Sequence, residues 1–265
     1  METHILPELN RDIAEVVAIG TIAVIYALDK QKIVKRYFQS SNNQQRNEED
    51  AAYNIEIRAY RRLGDHPRIA HFYGVTSDGI VLERGECLRK RYREVKISTI
   101  PPAQKLRWAE EAAEGLLYIH QNGIVQADVG CHNLILDSDG HIKFIDFGGS
   151  SIDGQEAIVC YEWCSYRPAT PEISVQTDIF AFGSTLFEIE SGHPPYHELE
   201  VELSIGQLGA RVQGLYAANE FPPVQNLLLG NILQRCWNGE YKDMDDVMGD
   251  IRKLRGLVEN SETTS

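Results

Sequence analysis

Residues 124–150 read IVQADVGCHNLILDSDGHIKFIDFGGS and set polar side chains among short apolar runs. The part LILDSDGHIKFI predicts a β-hairpin whose Asp-Gly pair forms the turn. Asp128 and Asn133 lie in the loop before this hairpin, and Asp146 follows its second strand. Because two antiparallel strands of similar length return the chain to where it began, we expect these three side chains to converge.

The three converging side chains suit a particular chemistry. Asn133 and Asp146 offer an amide oxygen and a carboxylate, and Mg²⁺ prefers oxygen ligands while it keeps several waters. The Asp128 carboxylate is then free to accept a proton. An Asp-x₄-Asn spacing is a weak signal by itself, because both residue types commonly cap turns. The triplet Asp146-Phe147-Gly148 at the expected place downstream favours the functional interpretation.

Length and composition describe an ordinary globular protein. The chain has 265 residues, 43% of them hydrophobic and 25% charged, which allows one or two domains with a sizeable core. It has no basic start followed by an apolar stretch, and no uninterrupted apolar run of about 18 residues. We therefore expect an intracellular protein, cytoplasmic by default, without a membrane partner. The five scattered cysteines disfavour a disulfide framework, and Cys160 and Cys164 lack companions for a zinc site.

The net charge of −13 is unevenly distributed. Up to Ile145 the chain has 19 basic and 20 acidic residues, and beyond it 7 basic and 19 acidic residues. An acidic surface repels phosphate backbones, so we expect no nucleic-acid partner. The acidity could favour basic protein partners, although a solvated surface that maintains solubility is the simpler explanation.

The character of the sequence changes near residue 83. Before it, the runs VVAIGTIAVIYAL, KIVKRYF, RIAHFYGV and GIVLE predict strands, and residues 48–63 predict one helix. After it, LRWAEEAAEGLLYIH has the spacing of one helical face, and TDIFAFGSTLFEIESG predicts a buried helix that ends before Gly192. A small, mainly β lobe is thus followed by a larger helical one.

At this point the sequence resembles the protein kinases, whose catalytic loop and Asp-Phe-Gly motif occur in the order of Asp128, Asn133 and Asp146. By this resemblance, Lys35 in KIVKRYF is the strand lysine that contacts ATP phosphates, and Glu56 is its helical partner. A lysine that faces phosphates must be held by an anion, which the helix supplies only when it is docked.

The resemblance extends along residues 16–254, and more narrowly to a divergent group of fungal kinase-like proteins. It makes Leu82 the gatekeeper, and Glu83 to Gly85 the backbone edge that receives adenine. Asp178 corresponds to the helix aspartate that accepts N–H groups of the catalytic loop, which is a structural role.

The resemblance implies an α+β, two-lobed protein-kinase-like fold, with a small, mainly β N-lobe that carries one key helix and a larger, mainly α C-lobe. We expect an N-terminal tail over residues 1–12 and a kinase domain over 13–255, with the N-lobe at about 13–83 and the C-lobe at about 86–255. A flexible C-terminal tail is expected over 256–265, since ENSETTS has little to bury.

The phosphate loop departs from the family pattern. AIGTIAVIY has Gly20, the candidate nucleotide-binding residue, but Ala18 and Ala23 stand where the family's G-x-G-x-x-G has its outer glycines. Alanine prefers negative φ, so we expect less well placed backbone donors and weaker nucleotide binding.

The catalytic loop departs as well. The family's His-Arg-Asp is Gln126-Ala127-Asp128 here, and an alanine cannot read a phosphate on the activation loop, so we expect activity that does not depend on loop phosphorylation. The buried Gln126 amide is expected to bond backbone. The loop lysine of many serine/threonine kinases is Gly130, which predicts a slow enzyme unless Lys35, the metal or another basic group such as His132 compensates. We expect His132 itself to be exposed.

The peptide-docking segment lacks a clean Ala-Pro-Glu. Pro171 and Glu172 lie only six residues before Asp178, and the arginine that would pair with this glutamate is missing around CWNGEYKDMDDV. The loss of both partners leaves no unpaired buried charge, so the double departure is tolerable.

Three functions compete. The first is an active ATP- and Mg²⁺-dependent protein kinase that phosphorylates a protein hydroxyl, serine or threonine being the commoner choice, with Asp128 as base and Lys35 aligning ATP. The second is a pseudokinase that binds partners or nucleotide without useful turnover. The third is a small-molecule phosphotransferase of the aminoglycoside or choline kind, which TDIFAFGSTLFEIESGHPPY disfavours. Substrate, oligomeric state and pathway cannot be read from the sequence.

Overall fold

An antiparallel sheet of five strands occupies the N-terminal part of the structure, a computed structural model that describes residues 15–158, 161–168 and 171–263. The strands follow the order β1-β2-β3-β5-β4. They are β1 (Val16–Ile19), β2 (Ala23–Ala27), β3 (Lys32–Tyr37), β4 (Phe72–Thr76) and β5 (Gly79–Glu83). Each of the four predicted strand runs contributes to this sheet, and the first run supplies both β1 and β2.

Helix α1 (Asn43–Leu63) lies beside the sheet and is longer than the predicted helix at 48–63. Asn42 caps its first turn by accepting a hydrogen bond from the Gln44 amide at 2.9 Å. It ends at Gly64, whose φ of 59° is in the left-handed region. Its buried side chains recur every three or four residues, which presents one face to the sheet. They are Glu49, Ala52, Glu56, Ile57, Ala59, Tyr60 and Leu63.

The rest of the described chain is mainly helical, as predicted for the larger lobe. Its helices are α2 (Leu88–Glu94), α3 (Pro102–Gln121), α4 (Val175–Ser191), α5 (Ile205–Ala217), α6 (Gly230–Asn238) and α7 (Met244–Thr263). Its short strands are β6 (Glu86–Cys87), β7 (Ile124–Val125), β8 (Leu134–Leu136), β9 (Ile142–Phe144) and β10 (Ser151–Ile152). The two-lobed fold is confirmed.

Helix α4 is the buried axis of this lobe, and nearly all of its side chains are buried. Ser174 and Thr177 form a capping box at its start, and Gly192 ends it with φ of 81°. This matches the predicted helix and its predicted end.

The predicted hairpin is formed by β8 and β9, which pair antiparallel from Leu134 opposite Phe144 to Leu136 opposite Ile142. The turn uses Gly140, with φ of 76°. The Ile145 amide donates to the Asn133 carbonyl at 3.0 Å. The residues just before and just after the hairpin therefore lie side by side, as the equal strand lengths predict.

The two lobes are joined by contacts as well as by the chain. The segment after α1 forms an isolated bridge between Ile69 and Phe144 of β9. Beside the connection, the Lys143 ammonium donates to both carboxylate oxygens of Glu83 at 2.8 Å. The Tyr118 hydroxyl donates to the Leu63 carbonyl at 2.6 Å.

The C-terminal end differs from the prediction. Residues 256–263 do not form a flexible tail, because α7 continues through Thr263. Val258 packs against the hydrophobic core, and Arg255 donates to Glu110 of α3 at 2.7 Å. The polar composition of ENSETTS does not indicate a helix. Arg255 and Val258, which lie just before this stretch, anchor α7 to the rest of the lobe. The predicted tail at 1–12 lies outside the described residues.

Within the described part of the chain, no helix is both long enough and apolar enough to cross a membrane. Cys87, Cys131, Cys164 and Cys236 are free thiols, and Cys160 lies outside the described residues.

Two glycine substitutions test the packing of this fold. A Cβ at Gly115 in α3 would lie 2.7 Å from the Phe144 ring, whereas one at Gly256 in α7 would meet nothing within 4 Å. We expect Gly115→Ala to lower the unfolding free energy by about 1–3 kcal/mol through overpacking. Gly256→Ala should raise it by up to about 1 kcal/mol, because alanine favours a helix. Urea denaturation measures both, and a destabilised Gly256→Ala would contradict the extended α7.

Candidate active site

A buried ammonium group links three elements at the junction of the lobes. Lys35 on β3 is 5% exposed, and its Nζ donates to Oε1 of Glu56 at 3.0 Å and to Oδ1 of Asp146 at 2.7 Å. Burial alone would lower the pKa of Lys35, but the carboxylates of Asp146 and Glu56 outweigh it and raise that pKa. Burial would likewise raise the pKa of Asp146, and Lys35 reverses this and lowers it. Burial raises the pKa of Glu56, although Lys35 opposes this rise. Lys35 and Asp146 therefore form an ion pair, and the ammonium ties β3 to α1 and to the residue after the hairpin.

The active-site loop, defined here as residues 126–133, is held from below by Asp178 at the start of α4. Asp178 is fully buried, and its carboxylate accepts the Gln126 amide at 2.9 Å and the Ala127 amide at 3.0 Å. It also accepts the Tyr161 hydroxyl at 2.8 Å and lies 2.8 Å from Nε2 of His120. Ala127 has φ of 66°, a conformation that costs about 1–2 kcal/mol. The buried carboxylate compensates for this strain.

Asp128 and its neighbours form a short hydrogen-bonded network. Asn133 Nδ2 donates to the Asp128 carbonyl and to Asp128 Oδ2, each at 2.9 Å. Gln126 accepts the Asp128 amide at 2.6 Å and donates to the Asp146 carbonyl at 3.1 Å. The buried Gln126 side chain thus bonds backbone on both sides, as expected.

The donor set around Asp146 fits a hard divalent cation. With Nδ2 directed at Asp128, Asn133 offers its amide oxygen, and Asp146 offers an ionised carboxylate whose side chain is 48% exposed. One amide oxygen and one carboxylate are ligands that Mg²⁺ accepts together with waters and phosphate oxygens. These residues would hold such an ion, and none of their contacts prevents it.

The connection between the lobes borders a cavity of about 630 Å³. Leu82 is 3% exposed and pairs with Ile33 across β3 and β5. The Glu83 side chain is used in the Lys143 ion pair, and the Arg84 amide donates to the Gln31 carbonyl at 2.8 Å. The cavity is lined by Val17, Ala18, Glu83, Arg84, Gly85 and Leu136 among others. The cavity opens at the connection between the lobes, residues 83–85, called the hinge below, and Lys35 is not among the residues that line it.

A sequence model of the protein kinase domain matches residues 17–242 of the chain. The chain belongs to the protein kinase family. It is 24% identical over 277 aligned residues to a probable serine/threonine-protein kinase of Clostridium acetobutylicum, covering 94% of this chain and 40% of that protein. It is 26% identical over 217 residues to the serine/threonine-protein kinase PrkC of Bacillus subtilis, covering 74% and 33%.

A third relative is the serine/threonine-protein kinase 12 of Arabidopsis thaliana, 27% identical over 229 residues, which cover 78% of this chain and 48% of that protein. The chain spans less than half the length of the curated relatives it matches.

The predicted site residues of this chain fall into three groups, of which Leu82, Glu83 and Gly85 form the one at the connection between the lobes described above. Lys35, Glu56, Asp128, Asn133 and Asp146 lie together where the lobes meet, through the contacts given above. Gly20 stands apart from this arrangement. Its amide donates to the Ala23 carbonyl at 2.8 Å in a tight turn between β1 and β2, so this donor is engaged within the loop.

His132 is not exposed, contrary to expectation, and it occupies the space beside Asp128. Its Nε2 lies 3.1 Å from Asp128 Oδ2, and its side chain is 23% exposed. Burial would lower the pKa of His132, but the hydrogen bond to Asp128 and the carboxylate of Glu162 raise it to about 10. The loop that lacks a lysine at Gly130 therefore carries a cation at His132.

Tyr37 is a site residue that the sequence analysis missed. Its hydroxyl donates to Glu56 Oε2, its ring lies 5.2 Å from the Lys35 Nζ, and it packs edge-on against Tyr53 of α1. A Cβ at Gly148 would lie 2.8 Å from the Tyr37 hydroxyl. Tyr37 follows Lys35 by two residues in a strand, so both side chains lie on the same face of the sheet. This two-residue spacing is the sequence pattern that could have identified Tyr37 as a site residue.

Arg89 and Glu162 were also missed. Arg89 Nη1 donates to Glu162 Oε1 at 2.7 Å, while its other nitrogens pair with Glu188 of α4. Their separation in sequence carries no local pattern that could have revealed them.

Replacement of Asp178 tests its hold on the active-site loop. Asp178→Ala leaves several buried donors without an acceptor, so we expect the unfolding free energy to fall by about 3–5 kcal/mol. Lys253→Ala, which removes an exposed ion pair to Asp250, is the control and should show little change. Chemical denaturation measures both, and equal effects would contradict the assigned role.

Tyr37→Phe tests the tyrosine contact to Glu56. Loss of the hydroxyl should cost about 1.5–3 kcal/mol of unfolding free energy, because the acceptor is a buried carboxylate. Tyr26→Phe is the control, because Tyr26 lies on the opposite face of the sheet, near Val34 and Val81. In the Glu56→Gln background the effect of Tyr37→Phe should shrink, as measured by a double-mutant cycle. Full additivity would show that the two residues are not coupled.

Proposed function

We propose that the chain is an ATP-dependent protein kinase that transfers the γ-phosphate to a protein hydroxyl, serine or threonine. The observation that carries the proposal is the convergence of Lys35, Asp128, Asn133 and Asp146 between the lobes. Membership of the protein kinase family and the names of the relatives support it. Both the substrate residue and the use of ATP and Mg²⁺ belong to the proposal.

Each group in the cluster has a role that its surroundings suit. Asp128, held by Asn133 and the Gln126 side chain, accepts the proton of the substrate hydroxyl as phosphate transfer proceeds. Lys35, held by Glu56, aligns the phosphates of ATP. Positioning of the two reactants supplies most of the acceleration, since little covalent chemistry falls to the protein.

Mg²⁺ neutralises charge on the phosphates when it is bound. Asn133 and Asp146 are the residues that would hold it. Adenine would lie in the hinge cavity, with Leu82 as the gatekeeper and the backbone of Glu83 to Gly85 at its edge. The acidic second half of the chain favours a basic protein substrate.

A pseudokinase is the second candidate function, and one specific observation favours it. The Gly20 amide is engaged by the Ala23 carbonyl, which leaves the phosphate loop one donor fewer for a nucleotide. A small-molecule phosphotransferase is less well supported, because the family match and the buried helix α4 are those of protein kinases.

Labelled-phosphate transfer to a panel of basic proteins tests the activity. The parent chain should label at least one substrate, and Asp128→Asn should lower the rate by about 10²–10⁴-fold, since it removes the proton acceptor. Asp139→Asn makes the same chemical change at an exposed position of the hairpin turn and should retain the parent rate. Equal labelling by the parent and Asp128→Asn would reject Asp128 as the base.

Thermal shift separates binding from turnover in the same preparations. ATP with Mg²⁺ should raise the unfolding temperature, and ATP with EDTA should raise it less, because only bound ligand stabilises the folded state. A shift without labelling would favour the pseudokinase, and the absence of both would favour a scaffold that binds partners.

A further inference from the structure

A chain of close side-chain contacts connects Asp128 to the buried helix α4. His132 Nε2 lies 3.1 Å from Asp128 Oδ2, and its Nδ1 lies 3.1 Å from Glu162 Oε2, off the line of an ideal hydrogen bond. The other oxygen of Glu162 accepts Arg89 Nη1 at 2.7 Å. Arg89 then pairs with both oxygens of Glu188 at 2.7 Å. Two carboxylates therefore hold the His132 ring from opposite sides.

Gly130 provides the room for this arrangement. A Cβ at this position would lie 2.6 Å from both Cε1 and Nδ1 of the His132 ring. The φ of Gly130 is −179°, an extended conformation that any residue adopts. The glycine is thus required for space and not for backbone conformation, which links its identity to the presence of His132.

Tyr161, the residue before Glu162, is fixed to the same part of the structure. Tyr161 donates to Asp178, which holds the backbone of the active-site loop, while Glu162 reaches the side chain of His132. Of two consecutive residues, Tyr161 thus contacts the carboxylate that supports the active-site loop, and Glu162 contacts a side chain of the loop itself. The side chains of His132, Glu162 and Arg89 are 23%, 29% and 15% exposed, so solvent screens these contacts less than it would screen surface ion pairs.

We propose that Glu162 anchors His132 as a positioning residue for Asp128, so that the loop is held for catalysis without a phosphorylated residue. The inference rests on the proposed kinase function. Ala127 carries no charge that could bind a phosphate, and the Glu162 carboxylate supplies a permanent negative charge in its place. Arg89 and Glu188 keep this carboxylate on the C-lobe.

Kinetics of Glu162→Gln test the inference. Displacement of the proton acceptor should lower kcat by about ten- to a hundredfold, because phosphate transfer is slow when the reacting groups are even slightly misplaced. KM for ATP should stay within about threefold, because Lys35, Glu56 and Asp146 are untouched. Glu198→Gln makes the same change at an exposed position and should match the parent in both constants. An unchanged kcat in Glu162→Gln would overturn the proposal.

Two further variants change His132 and Gly130, the other residues involved in the same contact. His132→Phe keeps a ring but removes both nitrogens, and Gly130→Ala pushes on the ring without removing any charge. Each should lower kcat like Glu162→Gln, and the His132→Phe and Glu162→Gln double variant should be no slower than the slower single variant. Multiplicative effects would show that the two residues act independently and would overturn the proposal. If Glu162→Gln does not fold, His132→Phe and Gly130→Ala still test the proposal.

Phosphatase treatment tests the independence from phosphorylation. Protein shown by intact mass to carry no phosphate should keep the parent initial rate, whereas a loss of activity that returns on rephosphorylation would overturn the proposal. Hydrogen exchange does not require turnover. Amides in residues 126–133 should exchange faster in Glu162→Gln than in Glu198→Gln. If the parent chain transfers no phosphate, the proposed function fails, while this exchange difference still decides whether Glu162 holds the loop.

Discussion

A buried cation must be surrounded by anions, and in this protein that requirement fixes how the lobes meet. Lys35 belongs to the sheet, Glu56 to α1 and Asp146 to the C-lobe, so the ammonium is satisfied only when all three elements are docked. The Tyr37 hydroxyl adds a third contact by donating to the Glu56 carboxylate. The geometry of the site is therefore a consequence of charge neutralisation around a buried ammonium.

The departures from the family pattern are easier to understand in pairs than one at a time. Gly130 removes a charge from the active-site loop, and His132 fills the vacated space with another. Gln126 replaces a histidine and uses both ends of its amide to join Asp128 to Asp146. Under the proposal made above, the Glu162 carboxylate takes the place of a phosphate that Ala127 cannot bind. Gly130 with His132, and Gln126 with its two backbone partners, are compensations between residues that lie close in space.

Those compensations mark the limit of what the sequence could reveal. The hairpin and helix α4 were predictable because periodicity, an Asp-Gly turn and a capping residue are local signals. The convergence of Asp128, Asn133 and Asp146 followed from strand pairing alone. The contact of His132 with Glu162 was not predictable, since it joins residues 30 apart whose positions depend on tertiary packing. The end of α7 was mispredicted because its polar composition resembles disorder, while its anchor lies in earlier residues.

The Lys143 to Glu83 ion pair bridges the lobes beside the hinge, whereas Arg62 of α1 reaches Asp153 of the C-lobe through an exposed contact. The side chains of the Lys143 to Glu83 pair are 17% and 16% exposed, and those of the Arg62 to Asp153 pair are 36% and 58% exposed. Because dissolved ions screen exposed charges more than buried ones, rising ionic strength would weaken the Arg62 contact between the lobes first.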